Sequence, residues 1–389
     1  MHIVWINDHA DFTGGCEQYI FQTVSLLNKF GISSTLLYKV GSPIKRCFTS
    51  IFKGVFPTVD LNAQINDIAP DILYIHRLSN IENLKKLVEL NIPKVRFFHD
   101  HQLFCLREHK YTALNHQTCT KTLGLNCYRC LGFINKSNSG SGIKISTLKK
   151  QMMEIEINKK LDRFVVGSQY MADQLSSHGF DTRKINIAPL FTLQYLDTPQ
   201  RSLSEKQLSA KHLLFVGQLV RGKGLDTLIE SMALIHPDAQ LTVCGTGRME
   251  AQYKKQVKKL KLSSRVHFVG YKTQEELTLL YRQANIVIIP ARSPETFCLA
   301  GLESLLQGTP VIASNVGGMK EWLKPNFNGL SFESNEPREL AVAIDKFLFN
   351  SEFQTKIRSN ILKDNYEKFR PKNHLSILTK LFESIMVAS

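Results

Sequence analysis

PARSPETFCLAGLESLLQGTPVIASNVGGMKEW, residues 290–322, is the stretch whose reading decides the fold. It opens at Pro290, where an apolar run at 286–289 stops; so short a run bounded by a proline reads as a buried strand. Residues 297–306 are rich in helix formers, which puts Glu295 in a loop and Glu303 about two turns inside a helix. A second apolar run follows at 310–313, then a paired-glycine turn at Gly317 and Gly318. Strand, loop, helix, strand is the unit of a parallel sheet.

The chemistry lies at the front of that helix. Its first backbone N–H groups, near Phe297, Cys298, Leu299 and Ala300, have no partner one turn back, and the helix dipole adds positive charge there. Such an end holds a phosphate or diphosphate. Glu295 and Glu303 can accept hydrogen bonds from hydroxyls on either side. Two hydroxyl-rich groups joined by a diphosphate describe a nucleotide sugar. The competing reading is one capping acid and one solvated acid.

E-x-F…E-x-x-x-x-G-x-P-V-I-A-S…G-G…E, from Glu295 to Glu321, resembles the donor-site signature of retaining glycosyltransferases of family 4. The resemblance runs over nearly the whole chain, with RFVVGSQYMADQL at 163–175 and KINIAPL at 184–190 as further matches. It implies the α/β GT-B fold: two facing Rossmann-like domains with an interdomain cleft. The expected division is a first domain at 1–195 with a cysteine-containing insertion at about 102–142. A linker at 196–207, a nucleotide-sugar domain at 208–365 and a final helix at 366–389 crossing back to the first domain follow.

In the first half, strands are expected at 2–6, 34–38, 71–76, 94–98, 163–166 and 185–188, with helices at about 17–30, 62–67, 81–90, 145–162 and 169–178. This alternation gives a doubly wound sheet with ligands at the carboxyl ends of its strands. Gly14 and Gly15 open the first helix, where a glycine pair lets backbone approach a ligand or simply makes a tight turn. The resemblance puts them against the donor diphosphate. His99, after the strand at 94–98, takes the family's sugar-contacting, catalytic role, with His101 as its nearest rival.

Cys105, Cys119, Cys127 and Cys130 are half of the chain's 8 cysteines. Four thiolates would complete a tetrahedral structural zinc site; a set of free thiols is the alternative. Residues 135–142, NKSNSGSG, read as a flexible linker.

In the second half a strand at 212–216 leads into Gly217-Gln218-Leu219-Val220-Arg221-Gly222-Lys223-Gly224. This approaches a P-loop but ends in Gly224, so the hydroxyl that would hold Mg²⁺ is missing and an ATPase is disfavoured. The resemblance places Lys223 on the donor diphosphate. Gln218 stands where the family often has arginine, and Arg221 is the candidate to supply that charge. The resemblance also puts Gly245, in the turn after a strand at 241–244, close to the nucleotide, and a strand at 266–269 with Gly270 and Tyr271 against the base; a plain packing turn is the alternative for those two residues.

Composition excludes a membrane-spanning or disordered chain: 43% hydrophobic and 21% charged, with no apolar run near the twenty residues of a span. The N-terminal stretch lacks the pattern of a signal peptide, so the cytoplasm is the expected compartment. The net charge of +15 suits phosphorylated or anionic partners. No motif or aromatic interleaving supports nucleic acid, and the lysines at 254–261 read as a solvated helix face. Peripheral contact with the inner face of an anionic membrane is expected instead.

The resemblance implies transfer of a hexose or N-acetylhexosamine from a UDP- or GDP-sugar to an acceptor hydroxyl, with retention and no catalytic metal. Lys223 would stabilise the leaving charge, Glu295 hold sugar hydroxyls and Glu303 the ribose. The expected acceptor is a saccharide or lipid-linked saccharide in cell-surface polysaccharide or lipopolysaccharide assembly. A GT-B nucleotide-sugar epimerase and a non-catalytic nucleotide-sugar-binding protein are the alternatives.

Overall fold

The computed structural model describes residues 1–113, 116–136, 143–193 and 211–388. The chain divides into two units: residues 1–108, 122–189 and 371–389 form the first, residues 109–121 and 190–370 the second.

The first unit is built on a seven-stranded parallel sheet of order β3-β2-β1-β4-β5-β8-β9. Its strands are β1 (His2–Asn7), β2 (Ser33–Tyr38), β3 (Gly54–Pro57), β4 (Ile72–Ile75), β5 (Lys94–Phe98), β8 (Arg163–Val166) and β9 (Ile185–Ile187). Trp5 and Tyr74 pair across β1 and β4 and are fully buried, as are Ile3, Val4, Ile72 and Leu73. Strands covered by helices on both faces need such unbroken apolar runs. β3 escapes sequence reading because GVFP is short, ends in proline and leaves Phe56 exposed, as befits an edge strand. The helix Pro371–Ala388 belongs to this unit: His374 bonds the Tyr19 hydroxyl at 2.9 Å, and Phe382 packs edge-on against Tyr74.

β6 (Ile134–Lys136) and β7 (Ile143–Ile145) form an antiparallel pair. This corrects the linker reading at Asn135 and Lys136, whose backbone pairs with Lys144 and Ile143. Polar composition misled there, because an antiparallel ladder needs only backbone groups. Residues 137–142 lie outside the described residues, as does the expected linker at 196–207. The helix expected at 145–162 is shorter, Leu148–Lys159, capped by the Thr147 hydroxyl.

The second unit carries a six-stranded parallel sheet of order β12-β11-β10-β13-β14-β15. Its strands are β10 (His212–Val216), β11 (Gln240–Cys244), β12 (Val266–Gly270), β13 (Ile286–Ile289), β14 (Val311–Ser314) and β15 (Gly329–Phe332). Strand order reverses between β10 and β13. A doubly wound sheet opens a crevice for ligands at that switch point, outside the carboxyl ends of the strands. The loop at 217–224 leaves β10 there, and the loop at 290–298 leaves β13.

The expected cysteine insertion does not stay whole. Residues 109–121 join the second unit, where Ser293 Oγ donates to the His109 carbonyl at 2.6 Å and Thr118 Oγ1 to the Arg292 carbonyl at 2.9 Å. Cys119 therefore lies in the second unit, while Cys105, Cys127 and Cys130 lie in the first.

Candidate functional site

Two loops at the switch point of the second sheet are pressed together by their glycines. Gly224 has a left-handed φ of +69°, and a Cβ there would lie 1.8 Å from the Pro290 carbonyl oxygen. Only glycine allows that approach. The 3₁₀ turn Arg221–Lys223 just before it thus aims Lys223 at the second loop. Lys223 Nζ meets Glu295 Oε1 at 2.8 Å, with both side chains largely shielded from water. Burial alone would lower the lysine's pKa, but the Glu295 carboxylate beside it raises it, so Lys223 stays charged at neutral pH.

Glu295 is locked from behind. Its carbonyl accepts from the Gly318 N–H at 2.6 Å, and Gly317, at φ +62°, would put a Cβ 2.2 Å from that same oxygen. A Gly317→Ala variant is expected to cost about 1–2 kcal/mol for the left-handed backbone alone. Glu295 must also shift, so any turnover of donor should fall roughly tenfold or more. Unfolding scans and donor turnover on the same sample check this; unchanged values for both would remove the glycine from the site's architecture.

The helix Leu299–Leu306 starts two residues later than its composition predicts. Cys298 caps it in a left-handed conformation, φ 65°, and burial with Glu295 nearby pushes its thiol up to about 12. The N–H groups of Leu299 and Ala300 therefore open the helix, while Phe297 precedes it. The Phe297 side chain is buried against Phe369, so what it can offer the site is its backbone. Trp322 fixes that turn, donating from Nε1 to the Phe297 carbonyl at 2.7 Å.

Glu303 is nearer the helix start than two turns. Its carboxylate accepts from Tyr281 Oη at 3.1 Å and Thr192 Oγ1 at 3.4 Å. Burial raises its pKa against those two bonds. Gln218 is exposed on the first loop. Gly245 follows β11 and lies so close to the first loop that a Cβ would meet the Gly217 oxygen at 1.9 Å, a structural reason for glycine independent of any nucleotide.

Arg221 donates from Nη1 to His116 Nε2 at 2.8 Å. Burial and the neighbouring Arg221 and Arg292 depress the His116 pKa, so the ring is a neutral acceptor. Sequence reading missed His116, which is remote in the chain and carries no motif. It missed Arg292 as well. That side chain is buried, bonds both oxygens of Asp226 at 2.7 and 2.8 Å, and reaches Thr227 at 2.8 Å and Asn335 at 2.6 Å. It ties the second loop to the helix that follows the first. An arginine three residues past an apolar strand was the one hint in the sequence, and its burial was not visible there.

In the first unit, His99 Nε2 lies 2.7 Å from His76 Nδ1, and the ring stacks on Phe97 with centroids 4.1 Å apart. Burial, with His76 and Arg77 close by, holds its pKa well below the usual imidazole range, so it is neutral at pH 7. His101 is buried, with the Tyr170 hydroxyl 3.5 Å from Nε2. Gly14 caps the helix Gly15–Asn28 with extended backbone, and a Cβ at Gly15 would meet nothing within 4 Å. Neither glycine is demanded by packing.

Among the described residues, the ligand atoms of Cys16, His76 and His99 lie within 4.8 Å of one another, a grouping that could hold a metal. Among the described residues, Cys105, Cys127 and Cys130 form no such group, and no cysteine is in a disulfide.

Residues 198–364 match the family model of group 1 glycosyl transferases. An uncharacterized glycosyltransferase of Methanocaldococcus jannaschii, MJ1607, is 35% identical over 161 residues, 41% of each chain. The chain spans about half the length of several such curated relatives. Among solved structures, sucrose-phosphate synthase from Thermosynechococcus elongatus superposes with a TM-score of 0.76, covering 100% of both chains at 20% identity. HepE of Anabaena, solved in complex with UDP, gives 0.73 over 99% of both chains at 16% identity. The chain has the GT-B fold of these structures, and its residues 198–364 are similar to the group 1 glycosyl transferases.

Proposed function

We propose that the protein transfers a hexose or N-acetylhexosamine from a nucleotide diphosphate sugar to an acceptor hydroxyl, with retention of anomeric configuration and without a catalytic metal. The observation that carries this is the Lys223–Glu295 pair beside the opening turn of the helix Leu299–Leu306. A cation, a carboxylate and a helix N-terminus converge at a switch point, where an anion and a set of hydroxyls can be held side by side.

On this reading the diphosphate takes Lys223 from Glu295, and the freed carboxylate accepts from sugar hydroxyls. Lys223 and the N–H groups of Leu299 and Ala300 stabilise the charge that develops as the bond from anomeric carbon to phosphate oxygen breaks. The acceptor oxygen bonds to that carbon on the same face, and its proton passes to the departing phosphate oxygen. Glu303, steadied by Tyr281 and Thr192, would hold the ribose. The role of His99 at the transferred sugar rests on the family resemblance. UDP is favoured as the nucleotide because Anabaena HepE was solved with UDP and with UDP-glucose.

The setting proposed is the cytoplasm, with an acceptor in surface-polysaccharide assembly and the basic surface turned to anionic membrane. Among the described residues no helix is long and apolar enough to cross a membrane. A thermal-shift and hydrolysis screen of UDP-, GDP- and ADP-sugars, with and without EDTA, tests the reading. One donor should stabilise the protein and be hydrolysed slowly, whether or not EDTA is present. Loss of hydrolysis with EDTA would refute the metal-independent mechanism, and no response to any donor would refute the transferase reading.

A further inference from the structure

Cys16, His76 and His99 come together where three neighbouring strands of the first sheet end. Cys16 stands in the first turn of the helix after β1, His76 directly follows β4, and His99 directly follows β5. Because β1, β4 and β5 lie side by side, the topology delivers one thiol and two imidazoles to one point. Their ligand atoms lie within 4.8 Å of one another. Cys16 and His76 are buried, whereas His99 is half-buried, and both rings line a cavity of about 350 Å³ that gives an ion a way in. His76 Nδ1 and His99 Nε2 are 2.7 Å apart around a proton. A tetrahedral ion with bonds of about 2.0 Å to nitrogen holds its ligand nitrogens about 3.3 Å apart. The rings need part only slightly for an ion to replace that proton, and the half-buried His99 can yield.

Two further observations point to a cation. Glu17 is fully buried; its Oε1 accepts from Asn7 Nδ2 at 3.2 Å, and its Oε2 has no hydrogen-bond partner among the described residues. Arg77 lies 3.9 Å from Glu17 and 3.1 Å from Asp100, so two carboxylates share one guanidinium. Arg96, which also faces the rings, has Glu154 as its counter-charge. A divalent ion offsets the negative excess that Glu17 and Asp100 leave, and it also matches the thiolate that Cys16 becomes on binding. The helix start favours that thiolate. The second observation is His76 itself, whose Nε2 is buried without a partner among the described residues. Nothing at that atom fixes the tautomer, so either nitrogen can present its lone pair.

We infer that Cys16, His76 and His99 bind one zinc-type divalent cation, with a fourth position open to the cavity. One thiolate and two imidazoles suit zinc or cobalt, not magnesium or calcium. Binding makes one metal–sulfur and two metal–nitrogen bonds, and the thiol proton leaves to solvent. The site itself goes beyond the glycosyltransferase reading, while its consequence rests on that reading. An ion on His99 withdraws the ring from the transferred sugar, so zinc inhibits transfer and does not assist it.

Titration of Co²⁺ into the reduced, metal-stripped full chain tests this by absorbance. Wild type should take up one equivalent and show the near-ultraviolet thiolate-to-cobalt band with the visible bands of four-coordinate cobalt, and Zn²⁺ should abolish both. Cys16→Ser and His76→Gln should each weaken binding about 100-fold or more, beyond the cost of losing an outer-shell partner. Cys127→Ser should leave it unchanged. Should one of the two site variants fail to fold, the other still decides. No thiolate band in wild type, or a band that survives Cys16→Ser and disappears in Cys127→Ser, overturns the inference. Zn²⁺ that fills the site should abolish donor turnover in wild type but not in Cys16→Ser. The two readings fail separately. Donor turnover without a cobalt band sinks only the metal site; a filled site with full turnover upholds the metal site and removes His99 from the sugar.

Discussion

Lys223→Ala is expected to lower donor turnover by about 10²–10³, the usual cost of removing one group that stabilises a developing anion. The side chain meets the leaving diphosphate on the proposed reading, so affinity for UDP should fall as well. Glu295→Gln should lower turnover by a similar factor with the opposite effect on UDP. UDP has no transferred sugar, and without the 2.8 Å ion pair Lys223 is free to meet the diphosphate. UDP should therefore bind this variant at least as tightly as wild type. The double variant should be little worse than either single one, because the two groups act as a unit. Turnover of the donor found in the screen, with UDP titration beside it, gives all of these. Near-normal turnover in either single variant would remove the pair from the reaction.

Trp322→Ala is the largest expected loss of stability. The ring is 1% exposed and packs on Gly301, where even a methyl group would lie 2.1 Å from it. Deleting so large a buried aromatic costs roughly 3–5 kcal/mol, since the surrounding core closes only partly over the void. In a unit of this size that lowers Tm by about 10 °C or more. Trp322→Phe keeps most of the volume but loses the bond from Nε1 to the Phe297 carbonyl, and should cost about 1–3 kcal/mol. Both variants release the turn that positions the helix start, so donor turnover per folded molecule should also fall. Scanning calorimetry settles the matter: a Tm within 2–3 °C of wild type for Trp322→Ala would show that the indole does not hold this turn.

The parallel strands could be read from the sequence because each is an apolar run cut off by Gly, Pro or a polar loop. β5, β8, β10 and β13 fall where that reading puts them. β3 could not be found that way, since an edge strand has no need of a second buried face. Within the candidate site, Lys223 and Glu295 were legible because local turns place them at strand ends. The bond between Arg221 and His116 was not, because it joins positions 105 residues apart. Arg292 hid for a different reason. A buried charge is recognisable only by its partners, and Asp226, Thr227 and Asn335 come from two other parts of the chain. The start of the helix at Leu299 was misplaced by two residues, because a helix boundary is hard to fix that closely from sequence.

Neither unit is continuous along the chain: the path changes unit after residues 108, 121, 189 and 370. Synthesis from the N-terminus therefore cannot deliver finished units one after another. When β9 has left the ribosome, the seven strands of the first sheet are available, but Tyr19 and Tyr74 still lack His374 and Phe382. The second unit can complete itself sooner, because residues 109–121 are made before the rest of it. The half that begins first is thus the last to close, and a ribosome stalled before residue 371 would hold a nascent chain with that aromatic surface still bare.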